Sequence, residues 1–412
     1  MPLLAPFAGL RPTPEHAADV VAPPYDVLTT EEARHRADGR PHSFLHISRP
    51  EIDLPAGTDP YDPQVYATGA ENLRRLMRDG ILIRDPVPCY YLYRLQMGSH
   101  VQTGLVAVAS VADYDSNRIR KHEYTRPDKE DDRVRQIDAL AAQTGPVFLT
   151  YRHDAAVDAI AERVAAGKPV YALTADDGVR HTLWVIDEPG TVGELTRRFD
   201  AMDCLYIADG HHRSAAASRV AALRRAQGAS LGSPAEYFLS VVFPDNQMKI
   251  LDYNRVVRDL HGLGETAFLA AVREAFEVEK ANRPVRPSRP GEFGMYLDSQ
   301  WYRLVIHPDR IPQSDPVGRL DVSLLADNLI DPILEIRDPR RDKRIDFVGG
   351  IRGLGELEKR VDSGEMKVAF SLYPTRIEDL MAVADANRVM PPKSTWFEPK
   401  LADGLVSHLL EE

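Results

Sequence analysis

Residues 204–227 read CLYIADGHHRSAAASRVAALRRAQ, which is an apolar run, a short polar turn and a run rich in alanine and arginine. The first five residues predict a buried strand, which Asp209 and Gly210 end. The residues from Ser214 to Gln227 favour a helix. Residues 211–213 are therefore expected at a strand–turn–helix junction.

This junction has the chemistry of an anion site. The start of a helix offers backbone N–H groups without intrahelical partners and a positive dipole end, and both favour phosphate. Gly210 lets the backbone approach the anion, and Arg213 adds a planar guanidinium. His211 and His212 can hydrogen-bond a transferring group or exchange a proton with it, and Asp209 can hold Mg²⁺ or accept a proton. The structural interpretation of the same residues is a turn, a core histidine and a solvated arginine.

A second polar motif, KHEYTR, occupies residues 121–126. Its His-Glu pair matches half of a zinc-protease motif, but Arg126 stands where the second histidine is needed, which excludes that site. Glu123 is a candidate general base, because Arg126 and its other basic neighbours keep a carboxylate ionised and attract an anionic substrate. The structural interpretation is a helix cap at Thr125 in a solvated, charged loop.

Several other stretches are weaker candidates. Tyr25 and Asp26 follow two prolines on a stiff turn, and with His122, Asn254 and Arg255 they form a weak substrate-binding set. The glycine-rich residues 349–353 can accept an anion but match neither the Walker loop nor the dinucleotide fingerprint. The lysines of residues 390–400 favour a structural role. No serine lies in a nucleophile elbow, so phosphoryl transfer fits better than covalent catalysis.

The amino-acid composition limits the classes of binding partner that we expect. The 412 residues include 51 basic and 62 acidic side chains, a net charge of −11, which disfavours nucleic acid. The two cysteines predict a reducing, cytoplasmic location. The N-terminus lacks the pattern of a signal peptide, and the longest uncharged apolar run, 105–112, is far shorter than a membrane span. The expected partners are a small-molecule substrate and a phosphate donor, and a homodimer is left open.

The pattern of elements predicts an α/β (or α+β) protein with three regions. Residues 1–150 form a mixed β/α region carrying the His-Glu loop, 151–255 a core carrying the Asp-Gly-His-His-Arg turn, and 256–412 a C-terminal α/β region. The predicted elements that matter below are a helix over 61–80, a hairpin of strands 89–96 and 102–112, and helices over 265–276 and 322–336.

Four motifs together resemble one prokaryotic family, catalogued as domain of unknown function 1015. They are PPYDV at 23–27, HEYT at 122–125, ADGHHR at 208–213 and MPPKST at 390–395. The ADGHHR element of that family is similar to the phosphate-binding turn of the ParB/sulfiredoxin superfamily. The resemblance implies a ParB/sulfiredoxin-like nucleotide-binding core with additional N- and C-terminal α/β elements.

Within that superfamily the free serine kinases are the nearest match. They share Asp209-Gly210-His211-x-Arg213 and a separate catalytic glutamate, for which Glu123 is the candidate. Sulfiredoxins carry a reactive cysteine where this chain has His211, so their repair reaction is not expected. The arginine box and the basic helix-turn-helix of the partition proteins are missing from this acidic sequence.

The working hypothesis is a Mg²⁺-dependent phosphotransferase acting on a small hydroxylated metabolite, with free L-serine the first acceptor to test. The donor is open among ATP, ADP, CTP and pyrophosphate. The alternative is a nucleotide-sensing regulatory module without turnover, and DNA binding is a third. The predicted catalytic residues are Glu123, Asp209 and His212, the metal ligand is Asp209, and the phosphate-binding residues are Gly210, His211, His212, Arg213, Ser214 and Arg126.

Overall fold

The structure is a computed structural model that describes residues 1–411. It divides into two compact units, Met1–Met248 with Pro399–Glu412, and Lys249–Glu398. This division differs from the three predicted regions because one sheet runs through the first 248 residues, and because the last residues return to that unit. The short strand His408–Leu409 pairs with Ala142–Gln143 there.

The strands are β1 (Leu4–Ala5), β2 (Leu10–Pro12), β3 (Leu82–Arg84), β4 (Tyr90–Met97), β5 (His100–Ser110), β6 (Ile119–Arg120), β7 (Ala142–Gln143), β8 (Val147–Tyr151), β9 (Tyr171–Thr174), β10 (Arg180–Ile186), β11 (Leu205–Asp209), β12 (Tyr237–Pro244), β13 (Ile250–Leu251), β14 (Tyr253–Val257), β15 (Phe276–Ala281), β16 (Glu292–Leu297), β17 (Gln300–Ile306), β18 (Ile345–Gly349), β19 (Val368–Leu372), β20 (Trp396–Phe397) and β21 (His408–Leu409). The α-helices are α1 (Ala17–Val20), α2 (Thr30–Ala37), α3 (Leu45–Ser48), α4 (Pro63–Arg78), α5 (Val111–Asp115), α6 (Pro127–Leu140), α7 (Ala155–Ala165), α8 (Pro189–Asp200), α9 (His211–Ala226), α10 (Glu265–Val272), α11 (Asp321–Leu325), α12 (Leu354–Asp362) and α13 (Ile377–Asp385).

The main sheet of the first unit is mixed, in the order β6-β11-β8-β12-β5-β4-β10-β9, with β1 beside β5. β8 runs parallel to β12 and antiparallel to β11. Helix α9 buries Ala216, Ala217 and Ala221, and these small side chains let it lie close to β8 and β12. The predicted α/β class is confirmed. In this sheet β11 ends at Asp209, and α9 begins two residues later at His211.

The hairpin and the first long helix are confirmed. β4 and β5 pair through Met97 and His100, which leaves a two-residue turn. Helix α4 buries Val65 and Leu73 and is followed by Gly80 in the left-handed conformation. Met77 has the spacing of the apolar face that includes Val65 and Leu73, but its side chain is exposed.

Three predicted helix boundaries were wrong for identifiable reasons. α6 begins after Arg126, so Thr125 is not its cap, and the Thr125 hydroxyl bonds Glu130 instead. α10 ends at Val272 because Phe276 starts a strand paired with Ile306. The single helix over 322–336 is instead α11 followed by a π-helical turn, Ala326–Ile330, just before Pro332, which lacks the N–H that an α-helix needs.

The second unit is built on an antiparallel sheet in the order β15-β17-β16-β19-β14-β18. Helix α12 covers one part of it, and Leu357 and Val361 join Val256 and Ala369 in the core. A short pair, β13 with β20, completes the unit. Among residues 1–411, no helix has both the length and the apolar character needed to span a bilayer.

Three buried histidines of the first unit should make folding sensitive to acid. Burial lowers the pKa of His122, His181 and His408 to about 4 each, from an ordinary 6.5. The unfolded chain takes up these protons near pH 6.5 and the folded chain only near pH 4, so stability falls as the pH drops between these values. The loss is up to about 3 kcal/mol per histidine. Buried Asp403, with its pKa raised to about 7, offsets part of it.

Urea unfolding at pH 7 and pH 5 measures this loss. The His408→Gln variant keeps a side-chain donor for the Pro234 carbonyl, which His408 Nε2 contacts at 2.9 Å, and should have a shallower pH dependence. The same change at exposed His35 is the control and should leave the dependence unaltered. Equal stability at both pH values would contradict the account.

Candidate functional site

The site begins where β11 ends. The register between β11 and β8 shifts between Ile207 and Asp209, a bulge that terminates the strand. Gly210 follows with φ 99° and ψ 28°, and α9 starts at His211. A Cβ at position 210 would lie 3.1 Å from Arg213 Nε in a conformation that side chains rarely adopt. The predicted strand–turn–helix junction is therefore present, and it requires a glycine.

The first turn of α9 presents unpaired amides. The N–H groups of Arg213 and Ser214 donate to the Gly210 carbonyl at 2.9 and 3.0 Å. Those of His211 and His212 have no backbone acceptor within the described chain, at the positive end of the helix dipole. The Ser214 hydroxyl, predicted to bind phosphate, is fully buried and donates to the His211 carbonyl at 3.1 Å.

The structure brings residues 122–126 and 209–213 together. The His122 N–H donates to His211 Nε2 at 3.4 Å, and the Arg126 N–H donates to His212 Nε2 at 3.0 Å. A backbone N–H only donates, so both Nε2 atoms are acceptors and each neutral ring carries its proton on Nδ1. Burial, first of all, lowers the pKa of both His211 and His212, which favours these neutral forms.

Glu123 lies beside the first of these rings. Its Oε2 is 3.7 Å from His211 Nδ1, which is longer than a hydrogen bond and places the carboxylate beside the protonated nitrogen of the neutral ring. The His211 side chain is 4% exposed and that of Glu123 is 51% exposed. The Glu123 carboxylate therefore lies beside a buried ring and is accessible to a small molecule bound at the start of α9.

The ligand atoms of His122, Glu123 and His211 lie within 4.8 Å of one another. The hydrogen bond between His122 N–H and His211 Nε2 opposes a metal ion at this place. A neutral ring that ligates a metal through Nδ1 carries its proton on Nε2, where it would face the N–H donor. The cluster is better suited to holding and passing a proton.

Arg213 organises the other side of the junction. Its guanidinium, 10% exposed, donates to the Pro146 carbonyl and to Asp209 Oδ2 at 3.2 Å, and it lies 4.0 Å from Asp26 Oδ2. Although burial opposes it, pairing with Asp209 and Asp26 raises the Arg213 pKa, so the side chain stays charged. The residue that was predicted to grip phosphate is pre-oriented by a carbonyl and two carboxylates.

Asp209 is an ionised carboxylate. Burial opposes its charge, but Lys400 and Arg213 outweigh burial and lower the Asp209 pKa. Its side chain is 42% exposed, so it has an oxygen accessible to a cation. Mg²⁺ is commonly held by one or two carboxylates together with substrate phosphates and water, and Asp209 fits that role. Lys400 was interpreted from the sequence as structural, and its proximity to Asp209 arises only because residues 399–412 return to this unit.

The proline-rich turn also reaches the site. The Tyr25 N–H donates to Asp403 Oδ2 at 3.2 Å, and its ring lies 4.1 Å from the Arg133 guanidinium. Asp26, next to it, is the carboxylate that faces Arg213. Asp403 and Arg133 were not identified from the sequence, and no local pattern marks either of them.

The remaining predicted residues have other partners. The Arg126 side chain pairs with Asp128 at 2.7 Å on the surface, and only its N–H contacts the site. Asn254 and Arg255 belong to the second unit, on β14. Asn254 is fully buried and bonds Asp252 and the Leu372 N–H, and Arg255 donates to the Lys393 carbonyl. Burial lowers the Arg255 pKa to about 10.

Comparison with known proteins identifies a family. The family described as "Protein of unknown function (DUF1015)" matches residues 4–323, which confirms the predicted family; the MPPKST motif at 390–395 lies outside the matched residues. No curated protein sequence matches the chain.

Solved structures show weak similarity. A free serine kinase in complex with AMP is 14% identical with a TM-score of 0.35, over 71% of this chain and 86% of that one. A conserved hypothetical protein from Pyrococcus furiosus is 14% identical with a TM-score of 0.35, over 72% and 94%. SbnI from Staphylococcus aureus, truncated at its C-terminus, is 10% identical with a TM-score of 0.36, over 72% and 84%.

Proposed function

We propose that this chain, which belongs to the DUF1015 family, transfers a phosphoryl group from a nucleotide or pyrophosphate to the hydroxyl of a small metabolite. L-serine is the first acceptor to test, because the Asp-Gly-His-x-Arg turn resembles that of free serine kinases. The proposal places the terminal phosphate of the donor at the start of α9. There it meets the N–H groups of His211 and His212 and the guanidinium of Arg213.

One observation carries the proposal. Two hydrogen bonds join the Glu123 loop to the His211-His212 pair. They place a solvent-accessible carboxylate beside the unpaired N–H groups in the first turn of α9. Phosphoryl transfer needs chiefly an anion cradle, charge neutralisation and one base within reach of the nucleophile. These residues supply all three without a covalent intermediate.

In the proposed step the acceptor oxygen attacks the terminal phosphorus. The bond from that phosphorus to the bridging oxygen breaks, and the shortened nucleotide, or phosphate from pyrophosphate, leaves with the bonding electrons. The hydroxyl proton passes to Glu123. Arg213 stabilises the charge on the phosphoryl oxygens. Asp209 would hold a Mg²⁺ ion, which would supply further charge neutralisation when bound.

Product analysis tests the proposal. The untagged chain is incubated with L-serine, Mg²⁺ and each of ATP, ADP, CTP and pyrophosphate, and phosphoserine is measured by mass spectrometry. We expect Mg²⁺-dependent phosphoserine with at least one donor. If folded protein forms none with any donor, serine is the wrong acceptor, and the absence of transfer to other small hydroxylated metabolites would defeat the phosphotransferase proposal.

The second candidate, a nucleotide sensor without turnover, predicts a different result. Calorimetry would then show saturable nucleotide binding with no product, unchanged in the Glu123→Gln variant. The pairing of Arg213 with Asp209 Oδ2 at 3.2 Å favours this candidate, because it occupies an oxygen that a catalytic Mg²⁺ would need. The two measurements together separate the candidates.

A further inference from the structure

A second cluster of metal-ligating side chains lies at the N-terminal part of the first unit. His16, Asp19 and His42 place one ligand atom each within 4.8 Å of one another. His16 Nδ1 is 3.9 Å from Asp19 Oδ2, and the rings of His16 and His42 lie 5.3 Å apart at 82°. The proposed reaction uses none of these three residues.

The backbone holds the three residues in place. His16 directly precedes α1, and Asp19 lies three residues further along the chain, within that helix. The loop that carries His42 is tied to the end of α1, because the Phe44 N–H donates to the Val20 carbonyl at 2.8 Å. Three ligands therefore converge from two segments that are hydrogen-bonded to each other.

Two buried polar atoms at this place lack hydrogen-bond partners. His16 Nδ1 and Thr13 Oγ1 are inaccessible to solvent, and neither atom forms a hydrogen bond with any group of residues 1–411. The His16 N–H donates to the Thr13 carbonyl, so both orphaned atoms belong to one turn. A buried imidazole nitrogen without a partner costs free energy unless something outside the chain satisfies it.

We propose that His16, Asp19 and His42 bind a divalent transition-metal ion, with Zn²⁺ the probe of choice. Two imidazoles and one carboxylate suit Zn²⁺, Fe²⁺ or Ni²⁺ and not Mg²⁺ or Ca²⁺, which take oxygen ligands. Ligand atoms around a tetrahedral ion with bonds of about 2.1 Å lie about 3.4 Å apart. The Asp19 side chain is 65% exposed, so the binding of an ion can draw its carboxylate toward His16 without disturbing the core.

Zinc binding by the full, untagged chain tests the site. After chelator treatment and removal of the chelator, Zn²⁺ is titrated in competition with a chromophoric indicator. We expect one ion bound here, with affinity reduced at least about tenfold in Asp19→Asn and in His42→Ala. His35→Ala, at an exposed histidine of the same region, should leave the affinity unchanged.

Two further results decide the assignment. Glu123→Gln should leave Zn²⁺ binding intact, which separates this site from the cluster beside α9. The exposed, near-isosteric Asp19→Asn change should not alter thermal unfolding of the metal-free chain. Zn²⁺ binding that persists at full affinity in both Asp19→Asn and His42→Ala, or no Zn²⁺ binding by the parent chain, would overturn the proposal.

Discussion

Replacing Glu123 by glutamine is expected to lower the rate of phosphoryl transfer by about 10²–10⁴-fold. Glutamine keeps the size of the side chain but cannot accept the hydroxyl proton. The donor cradle is formed by other groups, so donor affinity should stay within about twofold of the parent value, and the loss should fall on kcat. Initial rates with the productive donor, together with calorimetric donor affinity, provide the measurement.

A matched substitution shows whether the effect is specific. Glu31 is an exposed glutamate in the first turn of α2, and Glu31→Gln should retain full activity. Glu123 is itself half-exposed, so its replacement should leave the thermal unfolding transition in place. A Glu123→Gln enzyme that works within tenfold of the parent rate would show that another group takes the proton.

Replacing Arg213 by lysine should weaken donor binding by about 10- to 100-fold. The guanidinium bonds the Pro146 carbonyl and Asp209 at once and lies over Gly210, and one ammonium cannot reproduce that fork. The Pro146 carbonyl also loses a buried donor, which should reduce the free energy of unfolding by about 1–3 kcal/mol. Calorimetric titration well below the unfolding temperature separates the binding loss from the stability loss.

The control is a second arginine on the same helix. Arg224 donates to Asp138 at 2.8 Å near the far end of α9, on the surface, and Arg224→Lys should leave both donor affinity and stability nearly unchanged. If Arg213→Lys binds the donor as well as the parent does, the guanidinium has only a structural role and the phosphate lies elsewhere.

The local parts of the site were predictable from the sequence. Asp209 and Gly210 end an apolar run and precede a helix-forming run, so the turn could be predicted from the residue types adjacent in sequence. The role of Glu123 as the base that acts at this turn was a hypothesis from charge and chemistry. The contacts between the two stretches are backbone N–H groups donating to ring nitrogens, which no side-chain pattern encodes.

The distant parts of the site were not predictable in the same way. Lys400 and Asp403 belong to this unit although all of Lys249–Glu398 precedes them in the chain. No sequence pattern near them indicates that the chain returns to the first unit. Arg133 lies on α6 among many charges, and only the tertiary fold sets it against Tyr25. The helix ends at Val272 and Leu325 were misjudged because strand pairing and a downstream proline override composition.

The start of α9 as the phosphate cradle, with Glu123 facing it, is tested most directly by a crystal structure of the chain with the productive donor and Mg²⁺, or with pyrophosphate. We expect phosphate oxygens within hydrogen-bond distance of the N–H groups of His211 and His212 and of the Arg213 guanidinium, with Glu123 open to an acceptor beside them. Phosphate bound at any other place, with the first turn of α9 covered by protein side chains, would contradict it.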